Sequence, residues 1–418
     1  MIENPSFDCK KRVIDYRGEI VTIYFLSSLC KEDLIAYLVH GIVEDKGKDF
    51  LDCLNNGDVS LQMDTNKLEY ALYSGCCVLF YKKLSYVLEM RNFPSRSIQE
   101  PETEKSVRGA KDGFNENLVV NVALLRRRIK SPTFLCMVET IGSTNKIDIC
   151  LCYLEDKIEA DLLKQVKSRI SKIKANDFIM SDRAIEELIM DQGYNPFPLV
   201  RYSERPDVVA THIVHGYLAV IVDTSSSVIM LPTTLFELLE NVEEYRQAPI
   251  IGTSVRLLRY FAVFLSVFMI PIWFFHTDVT NLLIIQVFIV DVAIELLRLA
   301  TIHTPTSLSN AMGVVAAILL GQFAINLGMF SEEVLLVSAI SNISGFANPS
   351  YELSLTNKYI RMLGVIVFYF FREAGMITYF VILFFYLLSL RPFGHGYLYP
   401  LIPFNNKAFI KHLIRKPK

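Results

Sequence analysis

The chain has 418 residues, 52% of them hydrophobic and 21% charged, and its formal net charge is −2. Residues 256–418 carry 12 Lys and Arg against 7 Asp and Glu, so the remaining residues carry 30 against 37. This length is enough for two or three domains, and the acidic excess before residue 256 argues against nucleic-acid binding, which needs a clustered basic face.

The first predicted domain, residues 1–106, is a small α/β subdomain that ends in a linker. Apolar spacing predicts a buried strand at 21–27, a helix at 31–43 and a strand pair at 75–81 and 86–90. Residues 91–106 are polar and contain two prolines, which is typical of a linker.

The second predicted domain, residues 107–255, is another α/β subdomain. We expect helices at 118–130, 159–173 and 184–190, a strand at 146–153, and a hairpin of 217–222 with 228–231. Cys150 and Cys152 alternate along the strand and predict packing, because no second ligand pair follows at the spacing that zinc requires. No metal site and no cofactor are expected.

The third predicted domain, residues 256–392, consists of long apolar runs. They cover residues 257–275, 279–300, 311–330, 334–346, 360–371 and 374–390. A run of 19 residues forms about 28 Å of helix at 1.5 Å per residue, which is close to the hydrocarbon thickness of a bilayer. The predicted fold class is therefore a two-subdomain cytosolic α/β region followed by a polytopic α-helical membrane domain.

Charge at the ends of this domain predicts its orientation. Arg256 and Arg259 precede the first run, residues 393–418 form a basic tail, and the N-terminus lacks a secretory signal. Both ends are expected in the cytosol, which requires an even number of crossings. There are six crossings if residues 334–346 cross. There are four if that short, polar run is re-entrant and residues 360–390 form one tilted passage, which we favour.

Ionisable residues inside the second apolar run are the main candidates for function. Asp291, Glu295 and Arg298 fall within about 60° of one another on a helical face. Each would cost about 2.5–3.5 kcal/mol at the bilayer centre, so they should pair or face water. They either line an ion or proton path or form ordinary ion pairs at a seam between helices.

Further polar residues carry weaker predictions. Gln322 and Asn326 are four apart in the third run and either bond between helices or line a pore, and Asn342 is a polar candidate in the short fourth run. Outside the apolar runs, Glu204, Arg205 and Asp207 lie in a dense charged turn around Pro206, either as a contact surface or as a self-satisfied turn. Nucleotide-binding, hydrolase and zinc-protease motifs are absent, so an enzyme is not expected.

Several motifs in order resemble the spore germinant receptor A-subunit (GerA) family from about residue 10 to the end. They are Arg108-Gly109 with Gly113-Phe114, Asn121, Arg126–Lys130, Asn195–Tyr202 (NPFPLVRY), Glu204–Asp207 (ERPD), Asp223–Ser225, Pro232–Thr234, Glu244–Pro249 (EYRQAP), Ile302–Thr306, Pro349–Ser354 and Leu401–Phe404. The NPFPLVRY and EYRQAP stretches favour the stage V sporulation branch of the family over its nutrient-receptor subunits.

The resemblance implies a location and partners. It implies an oligomer in the spore inner membrane, a ring of five copies around an ion-conducting path that serves ion release at germination. It also implies a small membrane partner protein and germinant receptors as partners. The alternative function is a non-conducting scaffold that organises germinant receptors or the dipicolinate-release machinery.

Overall fold

The computed structural model of the chain describes residues 5–44, 50–54, 59–91, 101, 109–142, 146–173, 181–190, 192–302, 318 and 324–415. The chain divides into two compact units. The first contains Met1–Gly193 and Val200–Pro232, and the second contains Tyr194–Leu199 and Thr233–Lys418. The domain boundaries predicted at residues 106, 255 and 392 stay predictions.

The first part of unit 1 is an antiparallel sheet with helices on it. Its described strands are β1 (Cys9–Tyr16), β2 (Glu19–Leu26), β3 (Val59–Leu61), β4 (Cys77–Tyr81) and β5 (Leu84–Leu88), in the order β1-β2-β4-β5-β3. Its described helices are α1 (Glu32–Val43), α2 (Phe50–Cys53) and α3 (Thr65–Tyr73). Alternate residues of β2 face opposite sides, so Ile23 packs in a core with Ile35 of α1, and Tyr24 packs with Leu68 and Leu72 of α3.

The second part of unit 1 repeats this plan with a separate antiparallel sheet. Its described strands are β6 (Phe134–Ile141), β7 (Ile147–Leu154), β8 (Arg201–Ser203), β9 (Leu218–Val222) and β10 (Val228–Leu231), in the order β6-β7-β9-β10-β8. Its described helices are α4 (Leu118–Arg126), α5 (Ala160–Ile170), α6 (Ser181–Met190) and α7 (Pro206–Val214). Every residue of β9 and β10 is buried, so both faces of these strands are covered. The predicted mixed α/β character is confirmed.

A buried ion pair joins the two sheets of unit 1. The Arg126 guanidinium at the end of α4 donates to both carboxylate oxygens of Asp8, each at 3.0 Å, and neither side chain is exposed. Ser6 and Ser28 also donate to Asp8, each at 2.8 Å. Burial opposes ionisation of Asp8, but the charge and hydrogen bonds of Arg126 outweigh it and hold the pKa of the carboxyl below its usual value.

Unit 2 is helical in its described part. Its helices are α8 (Leu235–Leu238), α9 (Val242–Arg246), α10 (Pro249–His276), α11 (Asn281–Ile302), α12 (Ala324–Asn326), α13 (Glu332–Phe346), α14 (Tyr351–Ser389) and α15 (Asn406–Leu413), with a 3-10 turn at Pro392–Gly394. Among the described residues, α10 and α14 are long and apolar enough to cross a bilayer. The polytopic arrangement therefore stays a prediction.

Helix α14 reverses direction at Arg372. This residue has φ 54° and ψ −150°, which interrupts the helix. The Tyr379 hydroxyl then donates to the carbonyl of Ile360 at 2.9 Å, although a continuous helix would separate these residues by about 28 Å. The predicted single tilted passage through residues 360–390 was therefore wrong, and the two runs that end and begin near Arg372 lie side by side.

The two halves of this hairpin contact the same segment at their ends far from Arg372. Thr356 donates to the carbonyl of Pro196 at 2.5 Å, and the Tyr386 hydroxyl donates to Asn195 Oδ1 at 2.9 Å. Residues that lie on opposite halves of α14 thus bind neighbouring residues of the NPFPLVRY stretch. This explains why residues 194–199 belong to unit 2.

A second anchor fixes the start of α10. Glu244 of α9 is fully buried and accepts a hydrogen bond from Arg256 Nε at 2.6 Å and another from Arg259. Gly252 lets α10 approach this point, because a Cβ there would overlap the carbonyl oxygen of Glu244. The conformation of the EYRQAP stretch therefore depends on two arginines of the following helix.

Candidate functional site

The centre of the candidate site is an ion pair inside the helices of unit 2. Arg361 of α14 donates to Asp291 of α11 through Nε at 3.1 Å and Nη2 at 3.0 Å. Both residues are 1% exposed. Charges this deeply buried are tolerated only when they are paired and hydrogen-bonded, and this two-point pairing meets that condition.

Two further helices complete the hydrogen bonds of the pair. Asn342 of α13 donates to Asp291 at 2.8 Å and accepts from Arg361 at 3.1 Å. Arg361 Nη1 also donates to the carbonyl of Ser266 in α10 at 2.7 Å and to the Ser341 hydroxyl at 2.5 Å. One guanidinium therefore links α10, α11, α13 and α14.

A second ion cluster lies about one turn further along α11. Glu295 accepts from Arg298 at 2.6 Å and from Lys358 of α14 at 2.8 Å. The Arg298 guanidinium also lies 5.2 Å from the centre of the Tyr351 ring, which is within the range of a cation–π contact. The side chains of Glu295, Arg298 and Lys358 are 11–15% exposed, so this cluster is nearer to solvent than the Asp291–Arg361 pair.

The two ion clusters border a small cavity of about 20 Å³. Its lining includes Ser266, Glu295, Arg298, Ser341, Lys358 and Arg361. That volume holds about one water molecule or one small ion. The cavity therefore places room for one water molecule beside ionised and hydroxyl side chains.

The predicted residues of the second run, Asp291, Glu295 and Arg298, face one side of α11. Asn342 of the fourth run donates a hydrogen bond to Asp291. The sequence analysis missed Lys358 and Arg361. Lys358 lies just before the fifth apolar run, and Arg361 lies three residues later, at the start of that run. Two cations three apart on one helix and two acids four apart on another were the signal that could have paired them.

The other polar candidates lie elsewhere. Asn326 is exposed at the end of α12, and Gln322 lies outside the described residues. Their predicted pore or helix-bonding roles stay predictions.

The charged turn around Pro206 is a structural junction between β8 and α7. Arg205 is 1% exposed and donates to Asp207 at 3.0 and 2.9 Å and to the carbonyl of Ala110 at 3.1 Å. The backbone carbonyl of Glu204 accepts from the amide of Phe114 at 2.8 Å. Arg205 is therefore not available for a contact surface, because Asp207 and the loop before α4 satisfy it.

Three cysteines of unit 1 lie close together. The Sγ atoms of Cys136, Cys150 and Cys152 are within 4.8 Å of one another, and all three residues are buried. Cys136 lies opposite Cys152 across β6 and β7, so sequence spacing alone did not group it with the other two. Burial raises the pKa of the Cys150 and Cys152 thiols well above their usual value. A structural zinc needs four ligands, and the described part of the chain offers three here.

Comparisons with known proteins agree with the motif resemblance. The family model for the Bacillus/Clostridium GerA spore germination protein matches residues 1–282 and 276–418. The chain is 39% identical to the stage V sporulation protein AF of Bacillus subtilis (strain 168), with 99% of this chain and 90% of that protein covered.

More distant relatives carry germination names. Spore germination protein KA of the same strain is 31% identical over 86% of this chain and 70% of its own length. Spore germination protein A1 is 27% identical over 99% of this chain and 91% of its own length.

One solved structure is also similar. The crystal structure of the N-terminal domain of the A subunit of the Bacillus megaterium spore germinant receptor GerK3 matches at 24% identity with a TM-score of 0.41, over 54% of this chain and 88% of that one. The match of the family model to the whole chain, together with the 39% identity, shows that the chain belongs to the GerA family of spore germination proteins.

Proposed function

We propose that this chain is a membrane subunit of the spore germination machinery, in which several copies surround an ion path. The names of its relatives support a role in germination. The resemblance to their family implies a ring of five copies in the spore inner membrane that works with germinant receptors and a small membrane partner. The observation that carries the proposal is a layer of charges in the middle of the helices, where the partly exposed Glu295 cluster lies beside the buried pair of Asp291 and Arg361.

The position of this layer along the helices supports a role at the centre of a bilayer. Ser266 lies about 10 residues from the end of α10, Asp291 about 10 from the start of α11, and Arg361 about 11 from the reversal in α14. Ten residues of helix span about 15 Å, which is half of a hydrocarbon core about 30 Å thick. Ionisable groups at that depth cost free energy, so they are rare there and occur mostly where function requires them.

The charges also extend in one direction from that layer. Glu295 and its partners lie about 6 Å further along α11, toward the end that is predicted to face the cytosol. The cavity beside them can hold a water or a small ion. In this proposal, ionised groups lead from one face to the bilayer centre, and gating moves the helices that Arg361 links.

Ion release from cells that express the protein tests this proposal. We expect Glu295→Gln to change the flux at least several-fold, because one anion is removed beside two cations. Asn326→Ala tests the third run in the same assay. Arg391→Gln, an exposed arginine outside the clusters, is the matched control and should leave the flux unchanged. Equal flux in all variants at equal expression would contradict conduction through these groups.

A second candidate function is a non-conducting scaffold. The observation that favours it is that Asp291 and Arg361 satisfy each other within one chain and are 1% exposed. In that case the charges fix the register of four helices. Glu295→Gln would then weaken helix packing and partner binding while the flux stays at the level of cells without the protein.

A further inference from the structure

The C-terminal helix α15 is held against the first turns of α10. Arg256 Nη1 donates to the carbonyls of Lys411 at 3.1 Å and His412 at 2.9 Å. The amide of Arg415 donates to the hydroxyl of Thr253 at 3.1 Å. Helix α15 therefore lies beside residues 253–256.

This level coincides with the beginning of the apolar run of α10. The run starts at Leu257 and covers about 28 Å of helix, so residues 253–256 lie at the boundary of the hydrocarbon core if α10 crosses a bilayer. A helix bonded to that turn lies at the depth of the lipid headgroups. This step rests on the membrane location proposed above.

The segment 401–415 exposes both apolar and basic groups at that depth. Phe409 packs against the rest of unit 2, with its ring 6.0 Å from the ring of Phe236. Phe404 is 65% exposed and Ile414 is 48% exposed. Lys407 and Lys411 are exposed on the same short helix. Apolar side chains beside lysines are the composition of helices that lie in a membrane interface.

The charge of the segment is of one sign. Residues 404–418 contain five Lys and Arg and no Asp or Glu. Two nearby acids are engaged, since Glu240 binds His412 Nδ1 at 2.8 Å and Glu244 binds Arg256. The exposed positive charge therefore fits an anionic surface.

We infer that residues 401–415 form an interfacial surface that binds the headgroups of anionic phospholipids. Lys407 and Lys411 supply the charge, and Phe404 and Ile414 enter the outer part of the acyl region. Arg256 fixes the depth of the segment, so that headgroup binding stabilises the position of the first helix. Each lysine near an anionic bilayer contributes about a fivefold gain in affinity.

Quenching of tryptophan by brominated lipids tests this inference in the full-length protein. Trp273 is the single tryptophan of the chain, so a Phe404→Trp variant in a Trp273→Phe background gives one reporter at the surface. Vesicles contain phosphatidylcholine and phosphatidylglycerol in a fixed ratio, and equal mole fractions of either lipid carry bromine on the acyl chains. We expect brominated phosphatidylglycerol to quench the reporter at least about twofold more per lipid.

Removing the charge should remove that preference. Lys407→Gln with Lys411→Gln, or high salt, should bring the two quenching efficiencies together. Lys10→Gln with Lys164→Gln, which removes two exposed lysines of unit 1, is the matched control and should change nothing. An Ile414→Trp reporter repeats the measurement if Phe404→Trp disturbs folding.

The outcomes separate this inference from the membrane location. Equal quenching by the two brominated lipids would overturn the preference for anionic headgroups. No quenching of either surface reporter, while the native Trp273 is quenched, would show that the segment does not meet the bilayer. No quenching of Trp273 itself would contradict the proposed membrane location.

Discussion

Arg361 and Asp291 are 70 positions apart in the sequence and meet through two hydrogen bonds of 3.1 and 3.0 Å. We predict that Arg361→Gln destabilises the second unit by about 3–5 kcal/mol, because it leaves the Asp291 carboxylate buried and without its charge partner. Unfolding in detergent, followed by the fluorescence of Trp273, measures the loss.

A double variant separates the pair from its surroundings. Arg361→Gln with Asp291→Asn should be more stable than Arg361→Gln alone, since no unpaired charge remains. Arg391→Gln is the matched arginine control at an exposed position. Additive losses in the double variant would contradict a direct interaction between the two side chains.

The buried pair of unit 1 gives a pH-dependent prediction. Asp8→Asn should cost about 3–5 kcal/mol at neutral pH, because Arg126 loses its only charge-paired acid among the contacts described above. Since folding lowers the pKa of Asp8, its stabilisation is complete above the ordinary value of 3.8 and is lost as pH falls through the lower folded value. The difference between wild type and Asp8→Asn should therefore shrink below about pH 4.

The cysteines allow the stability of unit 1 to be measured, although that unit contains no tryptophan. All eight lie between residues 9 and 152, and the described ones are mostly buried. Dipyridyl disulfide reacts with exposed thiols at acid as well as neutral pH and releases an absorbing pyridinethione, so it reports the melting of this unit over that range. A melting difference that stays constant from pH 7 to pH 3 would contradict the role assigned to Asp8.

The reversal of α14 gives a third prediction. Arg372 has a positive φ of 54°, which glycine tolerates better than alanine. Arg372→Gly should be more stable than Arg372→Ala by about 1–2 kcal/mol, since both lose the side chain and only alanine keeps the strain. The reverse order is expected at Thr378, an exposed position inside the helix. There Thr378→Ala should be more stable than Thr378→Gly. The same order at both positions would argue against a break at Arg372.

Close packing at the start of α10 gives a fourth prediction. Gly252→Ala should destabilise unit 2 by about 1–3 kcal/mol, because the new Cβ meets the backbone oxygen of Glu244. Gly345→Ala is the control, since a Cβ there meets its nearest atom at 3.7 Å and alanine favours the helix. Equal melting temperatures for the two variants would contradict the close approach.

Sequence patterns predicted much of the α/β part because its strands and helices have clear periods. The strand at β7 and the hairpin of β9 and β10 were expected within one or two residues. Strand β1 was missed because its sequence, CKKRVIDY, is mostly polar and exposed, and it is a strand because β2 pairs with it along its whole length. Pairing with a distant segment is not visible in a local pattern.

Only one half of the candidate site, the acids of α11, was predicted from the sequence, because a local pattern does not show contacts with distant segments. The acids of α11 stand out because they interrupt an apolar run. Their partners on α14 do not, because Lys358 and Arg361 lie where a run begins and resemble ordinary flanking charges. Which acid meets which cation depends on the packing of helices that are far apart in the chain.

The most direct test of the central claim is the conductance of planar bilayers that contain the purified wild-type protein, with Glu295→Gln measured beside it. The proposal predicts discrete ion currents in wild type and a changed current size or ion preference in the variant. Silent bilayers, with folded protein shown to be incorporated and still able to bind its partners, would contradict it.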